Sequence, residues 1–320
     1  MSSRFMGSIH RLGVRRYNNM ESFAGQAVIA DRASLTLSEK LSAYAELTKP
    51  RITFLVVLTA AAGFCMGSAS GIDYARLLNT SIGIALLSSG LATLNQYFER
   101  DLDRLMRRTQ ARPLPTGKLL PAEAALFGIL LSIVATAYLA ILINPLSALL
   151  GIATFASYLF VYTPLKTRTT LSTVLGAFPG AMPPLIGWVA ASGGITVEAW
   201  ILFAILFLWQ FPHFLAIAWM YRDDYARAGI KMLPVVEPDG RVTAQQIVTY
   251  TLLLVPVSLL PSVTGLAGSV YLVSAALLGV GFLYFSARAA LARTTWQARQ
   301  LLLASVIYLP ILFGMMVLNR

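Results

Sequence analysis

The sequence predicts an all-α polytopic membrane protein, a bundle of about nine transmembrane helices, and three observations carry that reading. Apolar runs of 17 or more residues recur along the chain, long enough to cross a hydrocarbon core of about 30 Å at about 1.5 Å per helical residue. Hydrophobic residues make up 57% of the 320 and charged residues 12%, which leaves too little polar surface to coat a soluble globule of this length. Lys and Arg crowd alternate segments between the runs, as they would in a chain threading back and forth across a bilayer.

Taken in order, residues 1–48 contain no apolar core of the kind a secretory signal needs. Arg4, Arg11, Arg15 and Arg16 precede the first acid, Glu21, a pattern that fits either a basic, partly disordered cytoplasmic tail or a mitochondrial presequence, the tail being preferred. Residues 49–320 form the transmembrane domain, with spans expected near 52–67, 77–98, 122–143, 146–163, 171–191, 199–221, 246–264, 268–287 and 301–318. Barrel strands are excluded because the runs are too long and lack sustained alternation of apolar and polar residues. The single Cys65 rules out an internal disulfide, and with only His10 and His213 a Cys/His zinc site cannot be assembled. Any metal must be oxygen-bound.

Counted by segment, 23 Lys and Arg fall on one side of the nine spans and two on the other. Positive residues collect on the inner face, so the amino terminus is expected inside and the carboxyl terminus outside. The net charge of +11 belongs to short loops between spans and does not signal a nucleic-acid partner. The lipid bilayer is the partner that composition implies.

Most loops are minimal, as at Asn144-Pro145, but two on the inner face are long and rich in both signs of charge. The first reads NQYFERDLDRLMRRTQARPLPTGK from Asn95 to Lys118. In a helix continued past the second span, Asn95, Glu99 and Asp103 stack on one face about 6 Å apart. A solvated helix end is the plain reading. Like charges on one stripe cost stability, however, unless something bound between them compensates, and magnesium, which takes few carboxylates and fills its shell with water and phosphate oxygens, suits such a stripe. Arg107, Arg108, Arg112 and Lys118 offer cationic donors to phosphate oxygens, or serve as ordinary inner-face anchors. The second loop, WMYRDDYARAGIKMLPVVEPDGR from Trp219 to Arg241, sets Asp223 and Asp224 at the membrane surface with Arg222, Arg227 and Lys231 nearby. Two acidic clusters backed by basic residues are what holding a diphosphate through metal ions requires.

The fifth span contains GAFPGAMPPLIG from Gly176 to Gly187, expected to kink or break its helix and to line a cavity, or else to pack as a kinked helix. The sixth carries WQFPHFLAIAW, which places His213 about two turns before Asp223 and Asp224 and near the acids. An ionisable residue in a span is a functional candidate; a histidine satisfied by a neighbouring helix is the alternative.

With ELTKPRI at Glu46 to Ile52, the first charged loop, FPHFLAIAW and YRDDYARAGIKMLPVV, the chain over roughly 42–320 resembles the haem-modifying farnesyltransferases of the intramembrane aromatic prenyltransferase superfamily. The resemblance implies a nine-helix bundle open laterally to lipid, farnesyl diphosphate bound through magnesium, and haem b as acceptor substrate. It implies a first metal motif of Asn95, Glu99 and Asp103 and a second of Asp223 and Asp224. It also implies diphosphate contacts from Arg112, Lys118 and Lys231, and a role near haem for His213. Residence in a bacterial inner membrane, or alternatively a mitochondrial one, and an association with haem A synthase or terminal oxidase assembly are implied likewise. Many superfamily members have Asp at both ends of a five-residue second motif, whereas Tyr221 and Tyr225 flank the pair here. The rival readings are prenyl transfer to a quinone-precursor ring or chlorophyllide, and transport of an anionic or lipid-linked substrate. Interior charge crowded on one face, away from the bilayer midplane, weighs against transport.

Overall fold

A computed structural model describes residues 35–69 and 71–320; Arg4, Arg11, Arg15 and Arg16 lie outside them. Among the described residues, nine helices are long and apolar enough to span a membrane, and they coincide with the nine expected runs. A short helix, α1 (Leu37–Leu47), precedes them within the segment expected as tail. Its Ala43 and Leu47 are buried against Leu114, Leu119 and Ala124, so this helix is docked onto the domain. The spans are α2 (Pro50–Gly67), α3 (Tyr74–Leu105), α4 (Pro121–Leu142), α5 (Pro145–Leu165), α6 (Ser172–Ser192), α7 (Val197–Met220), α10 (Arg241–Val263), α11 (Ser269–Ala292) and α12 (Thr295–Leu318). Between α7 and α10 the second charged loop folds into α8 (Arg222–Arg227) and α9 (Leu233–Val236).

Local chemistry explains the boundaries. Pro50, Pro121 and Pro145 stand at the first turns of α2, α4 and α5, where the absent N–H would have had no helical partner. Asp73 and Asn144 cap α3 and α5 by accepting from the Arg76 and Ser147 amides at 3.0 and 2.7 Å. The 32 residues of α3 extend about 48 Å, well beyond a hydrocarbon core of about 30 Å. Its carboxyl-terminal end therefore stands clear of the span and carries the acidic stripe with it.

The break expected in the fifth span is absent. Helix α6 runs unbroken through Pro179, Pro183 and Pro184, and most of its side chains are enclosed by protein. Its glycines serve close approach. A Cβ on Gly187 would lie 1.9 Å from the Ala60 carbonyl oxygen, and one on Gly63 would lie 2.0 Å from that of Pro184, so α2 and α6 meet backbone to backbone. Small residues permit such contact in a bilayer, where helix association rests on van der Waals packing rather than on expulsion of water. The backbone freed by the prolines is tolerated because neighbouring helices surround it. Outer spans turn Leu126, Ile133, Leu149, Val273, Leu277 and Val280 outward, a face that suits lipid tails.

If that backbone contact holds the bundle together, Gly187→Leu is expected to destabilise by more than the ~1–3 kcal/mol typical of overpacking. Gly281→Ala in α11, where an added Cβ meets nothing within 4 Å, is expected to be nearly neutral. Thermal unfolding of both variants in detergent checks the contrast; equal midpoints would refute it.

Candidate functional site

The projecting end of α3 presents Asn95, Glu99 and Asp103, all buried, and each meets a basic residue from another part of the chain. Lys49, in the left-handed turn just before α2 (φ 48°), donates from Nζ to Asn95 Oδ1 at 3.2 Å. Lys166, just past α5, forms a buried ion pair with Glu99. Arg112 Nη1 lies 2.8 and 2.7 Å from the two Asp103 carboxylate oxygens, and Thr109 Oγ1 donates to the Asp103 carbonyl at 3.0 Å. The like charges of the stripe are thus compensated by the protein's own cations. These protein cations stand beside the bound cation that the stripe was expected to call for.

A π-helical turn, Ser157–Tyr162, closes α5. Such turns are often found at functional sites. It sets the Tyr162 and Tyr158 rings 4.2 and 5.7 Å from Lys166 Nζ, cation–π distances that help hold the ammonium. Burial alone would lower the Lys166 pKa, but the Glu99 carboxylate together with the Tyr162 and Tyr158 hydroxyls outweighs it and holds the group well above the ordinary lysine value. Burial, then the charge of Arg112, pushes Lys49 down to about 8 against the opposing pull of Glu99, which leaves it mostly charged at neutral pH.

The second loop closes over the first. Asp224, also buried, accepts the Arg108 backbone N–H at 3.1 Å and pairs with Arg227, whose Nε donates to the Leu105 carbonyl at 3.4 Å. The Lys231 amide donates to the Lys166 carbonyl at 2.8 Å. Met106, Ala228 and Ile230 form a small apolar contact beneath. Burial raises the Tyr225 phenol pKa, while Tyr221 lies under the Arg108 guanidinium at 5.2 Å. The structure therefore brings together Asn95, Glu99, Asp103, Arg108, Arg112 and Asp224. Asp223 stays exposed, 3.8 Å from Arg222, and Arg107, Lys118 and Lys231 are exposed at the rim. His213 is turned toward α12, where its Nδ1 lies 2.8 Å from Ser305 Oγ, and among the described residues no hydrogen bond or ion pair joins it to the acids it was expected to approach.

Lys49 and Lys166 were not singled out from sequence. Both were counted only toward the charge of the inner-face segments, and a pair 67 positions apart leaves no local spacing to find. Among the described residues, no three His, Cys, Asp or Glu side chains are grouped closely enough to hold a metal ion. The donor chemistry nonetheless fits a hard cation: carboxylate and amide oxygens from Asn95, Glu99 and Asp103 in the small number magnesium takes. The buried Asn95 Nδ2 lacks a hydrogen-bond partner among the described residues.

The Lys166–Glu99 pair gives a direct test. Lys166→Met leaves a buried carboxylate uncompensated and is expected to cost about 3–5 kcal/mol, whereas Lys166→Met combined with Glu99→Gln should recover much of that loss. Thermal unfolding across the double-mutant cycle reads the coupling, and additive effects would remove the pair from this role.

Comparisons with known proteins agree with this architecture. Residues 56–316 match the UbiA prenyltransferase family. The protoheme IX farnesyltransferase of Solibacter usitatus is 55% identical over 286 residues, covering 87% of this chain and 98% of that protein. That of Salinibacter ruber is 47% identical over 276 residues, covering 86% and 98%. A digeranylgeranylglyceryl phosphate synthase structure shares the fold at 20% identity, with a TM-score of 0.74 over 88% of this chain and 98% of that one. A UbiA homologue from Archaeoglobus fulgidus bound to GPP and Mg2+ does so at 16% identity, with a TM-score of 0.61 over 86% and 99%. The chain belongs to the UbiA prenyltransferase family and is a multi-pass membrane transferase.

Proposed function

We propose that this chain transfers the farnesyl group of farnesyl diphosphate to a vinyl group of haem b, releasing diphosphate and giving haem o. The observation that carries the proposal is the meeting of the two charged loops: buried carboxylates from both lie among a ring of cations at the end of the spans. The names of relatives at 41–55% identity supply the donor and the acceptor.

Asn95, Glu99 and Asp103 would hold magnesium on one side, and Asp224 with Asp223 on the other. Bound there, the metal supplies positive charge that stabilises the departing diphosphate. Lys49, Lys166 and Arg112 already stand against Asn95, Glu99 and Asp103, so their donors lie where phosphate oxygens would arrive. Arg107, Arg108, Lys118 and Lys231 extend that field along the rim. As the C1–O bond of the allylic diphosphate breaks, its electron pair leaves with diphosphate. A haem vinyl carbon then bonds to C1, and water captures the resulting cation with loss of a proton. The apolar spans keep water from C1 before the haem arrives.

The site's side follows from charge. With 23 Lys and Arg on one face and two on the other, we place the charged cluster and the amino terminus on the cytoplasmic side of a bacterial inner membrane, with the carboxyl terminus outside. Delivery of the product to haem A synthase or to oxidase assembly would fit that placement. Single-cysteine labels at Asn144 and Gly193 should react from outside, and labels at Gln110 and Asp239 from within. Labelling of Gln110 and Gly193 from one side would overturn this orientation.

Glu99→Gln and Asp103→Asn each retain shape while withdrawing a hard anion. Turnover of haem b with farnesyl diphosphate is expected to fall by at least ~100-fold in each, the scale set by loss of one electrostatic stabiliser of a transition state. Product mass followed across a magnesium titration is the measurement. Near-normal turnover with unaltered magnesium dependence would defeat the metal–diphosphate assignment.

A further inference from the structure

Helix α1 carries two apolar faces, and the protein covers one of them. Ala43 and Leu47 mark the face that docks against Leu114, Leu119 and Ala124. Leu37, Leu41 and Ala45, spaced by four, make the other. Leu37 is 76% and Leu41 60% exposed, and Ala45 is exposed as well. Tyr44 lies between the two faces and sets its ring edge-on to Phe127 of α4, with centroids 5.0 Å apart. Ser42, Glu39 and Glu46 fall across the helix from the exposed leucines, so its apolar and polar sides are separate. Eleven residues are too few to hold a helix in water unaided.

The depth of α1 follows from what it touches. The Gln96 amide of α3 donates to the Leu47 carbonyl at 3.0 Å, and Gln96 lies about 33 Å along α3 from Tyr74, against a hydrocarbon core of about 30 Å. On α4 the neighbours of α1 are Glu123, paired with Lys40 at 2.8 Å, then Ala124 and Phe127. All three stand in the first two turns of a span that begins at Pro121. Helix α1 is therefore level with the end of the hydrocarbon, beside Leu126 and Leu130 on the exposed side of α4.

We propose that α1 is an interfacial helix, seated with Leu37, Leu41 and Ala45 in the boundary between headgroups and acyl chains, and that this seating positions Lys49 in the charged cluster. A helix with separate apolar and polar sides lies in that plane with its apolar side about 5–10 Å deep. The exposed face is continuous with the lipid-facing side of α4 and carries no charge, so its partner is the apolar edge of the bilayer and not an anionic headgroup. The connection to the cluster is short. Leu47 ends α1, and two residues on Lys49 turns the chain into α2 through left-handed backbone (φ 48°) and sets its Nζ 3.2 Å from Asn95 Oδ1. A residue other than glycine keeps that conformation only where its surroundings impose it. Here α1, held at the interface, restrains the chain on one side of the turn and α2 on the other. The positioning role rests on the charged cluster being the diphosphate site.

The test uses the full chain in phosphatidylcholine vesicles, in a Cys65→Ala background, with a fluorophore on Leu41→Cys or on Glu46→Cys. Bromine on the upper acyl chain is expected to quench the Leu41 label and aqueous iodide the Glu46 label, with no gain when phosphatidylglycerol is added. Equal quenching of both labels by iodide would overturn the seating. So would a Leu41 label that neither quencher reaches, which would place protein over that face, or seating that appears only with phosphatidylglycerol. Leu37→Glu combined with Leu41→Glu is expected to keep the wild-type unfolding midpoint in detergent. In vesicles the pair should weaken binding of an unreactive thiol-linked analogue of farnesyl diphosphate by about 10-fold or more, the scale of one charge-assisted hydrogen bond. Methionine at both positions should restore it, and on a Lys49→Met background the glutamates should add no further loss. Wild-type affinity in the glutamate pair, or the same loss again on that background, would overturn the positioning role. Wild-type protein that binds no prenyl diphosphate would overturn that role together with the reading beneath it, while the quenching decides the seating by itself.

Discussion

The buried pair between Glu99 and Lys166 is the constraint around which the charged end of this bundle is organised. It joins the overhanging end of α3 to the residue that closes α5, and the Lys166 carbonyl in turn receives the Lys231 amide of the second loop. Three segments distant in sequence are thus fastened at one residue. Such a pair contributes little net stability, since two charges have left water to form it, but losing either partner strands the other. What it supplies is position: the Asn95, Glu99 and Asp103 oxygens are held in a row, each with a cation opposite.

The balance of charge within this cluster is close enough to be reversible. Among the described residues every buried carboxylate is matched by a donor, Lys166 for Glu99, Arg112 for Asp103, and, for Asp224, the Arg108 amide from the first loop with Arg227 from its own short helix. A hard cation on these oxygens would free the same basic groups for an anionic partner. A divalent ion and a diphosphate therefore suit the cluster together better than either does alone.

The spans and their order were legible in the sequence because a bilayer imposes length and apolarity on every crossing segment, and loop charge independently checks the count. The stripe on α3 was legible because helical spacing is local. The partners of that stripe were not. Lys49 and Lys166 reach it from beside other helices; Lys49 lay in the quoted ELTKPRI stretch without a role assigned to it, and nothing around Lys166 distinguishes it from an anchoring residue. A break in α6 was expected and the packed alternative is what the structure shows, for a different cause: Gly and Pro break an isolated helix, but Gly187 and Gly63 here permit contact that encloses the helix and steadies it. The direction of His213 likewise depended on where α12 lies, which no periodicity in α7 reveals.

The length of α3 has a consequence for the membrane as well as for the protein. A rigid rod of 32 residues cannot shorten, so in a thicker bilayer its carboxylates would be drawn toward the headgroups and in a thinner one pushed further into water, unless the helix tilts. The charged end is tied to α5 and to the second loop, which leaves tilting to the bundle as a whole. Lipid chain length thereby becomes a setting on this molecule: the acyl chains around it govern how deeply a substrate with an ionic head and a hydrocarbon tail must sit for both ends to be satisfied at once.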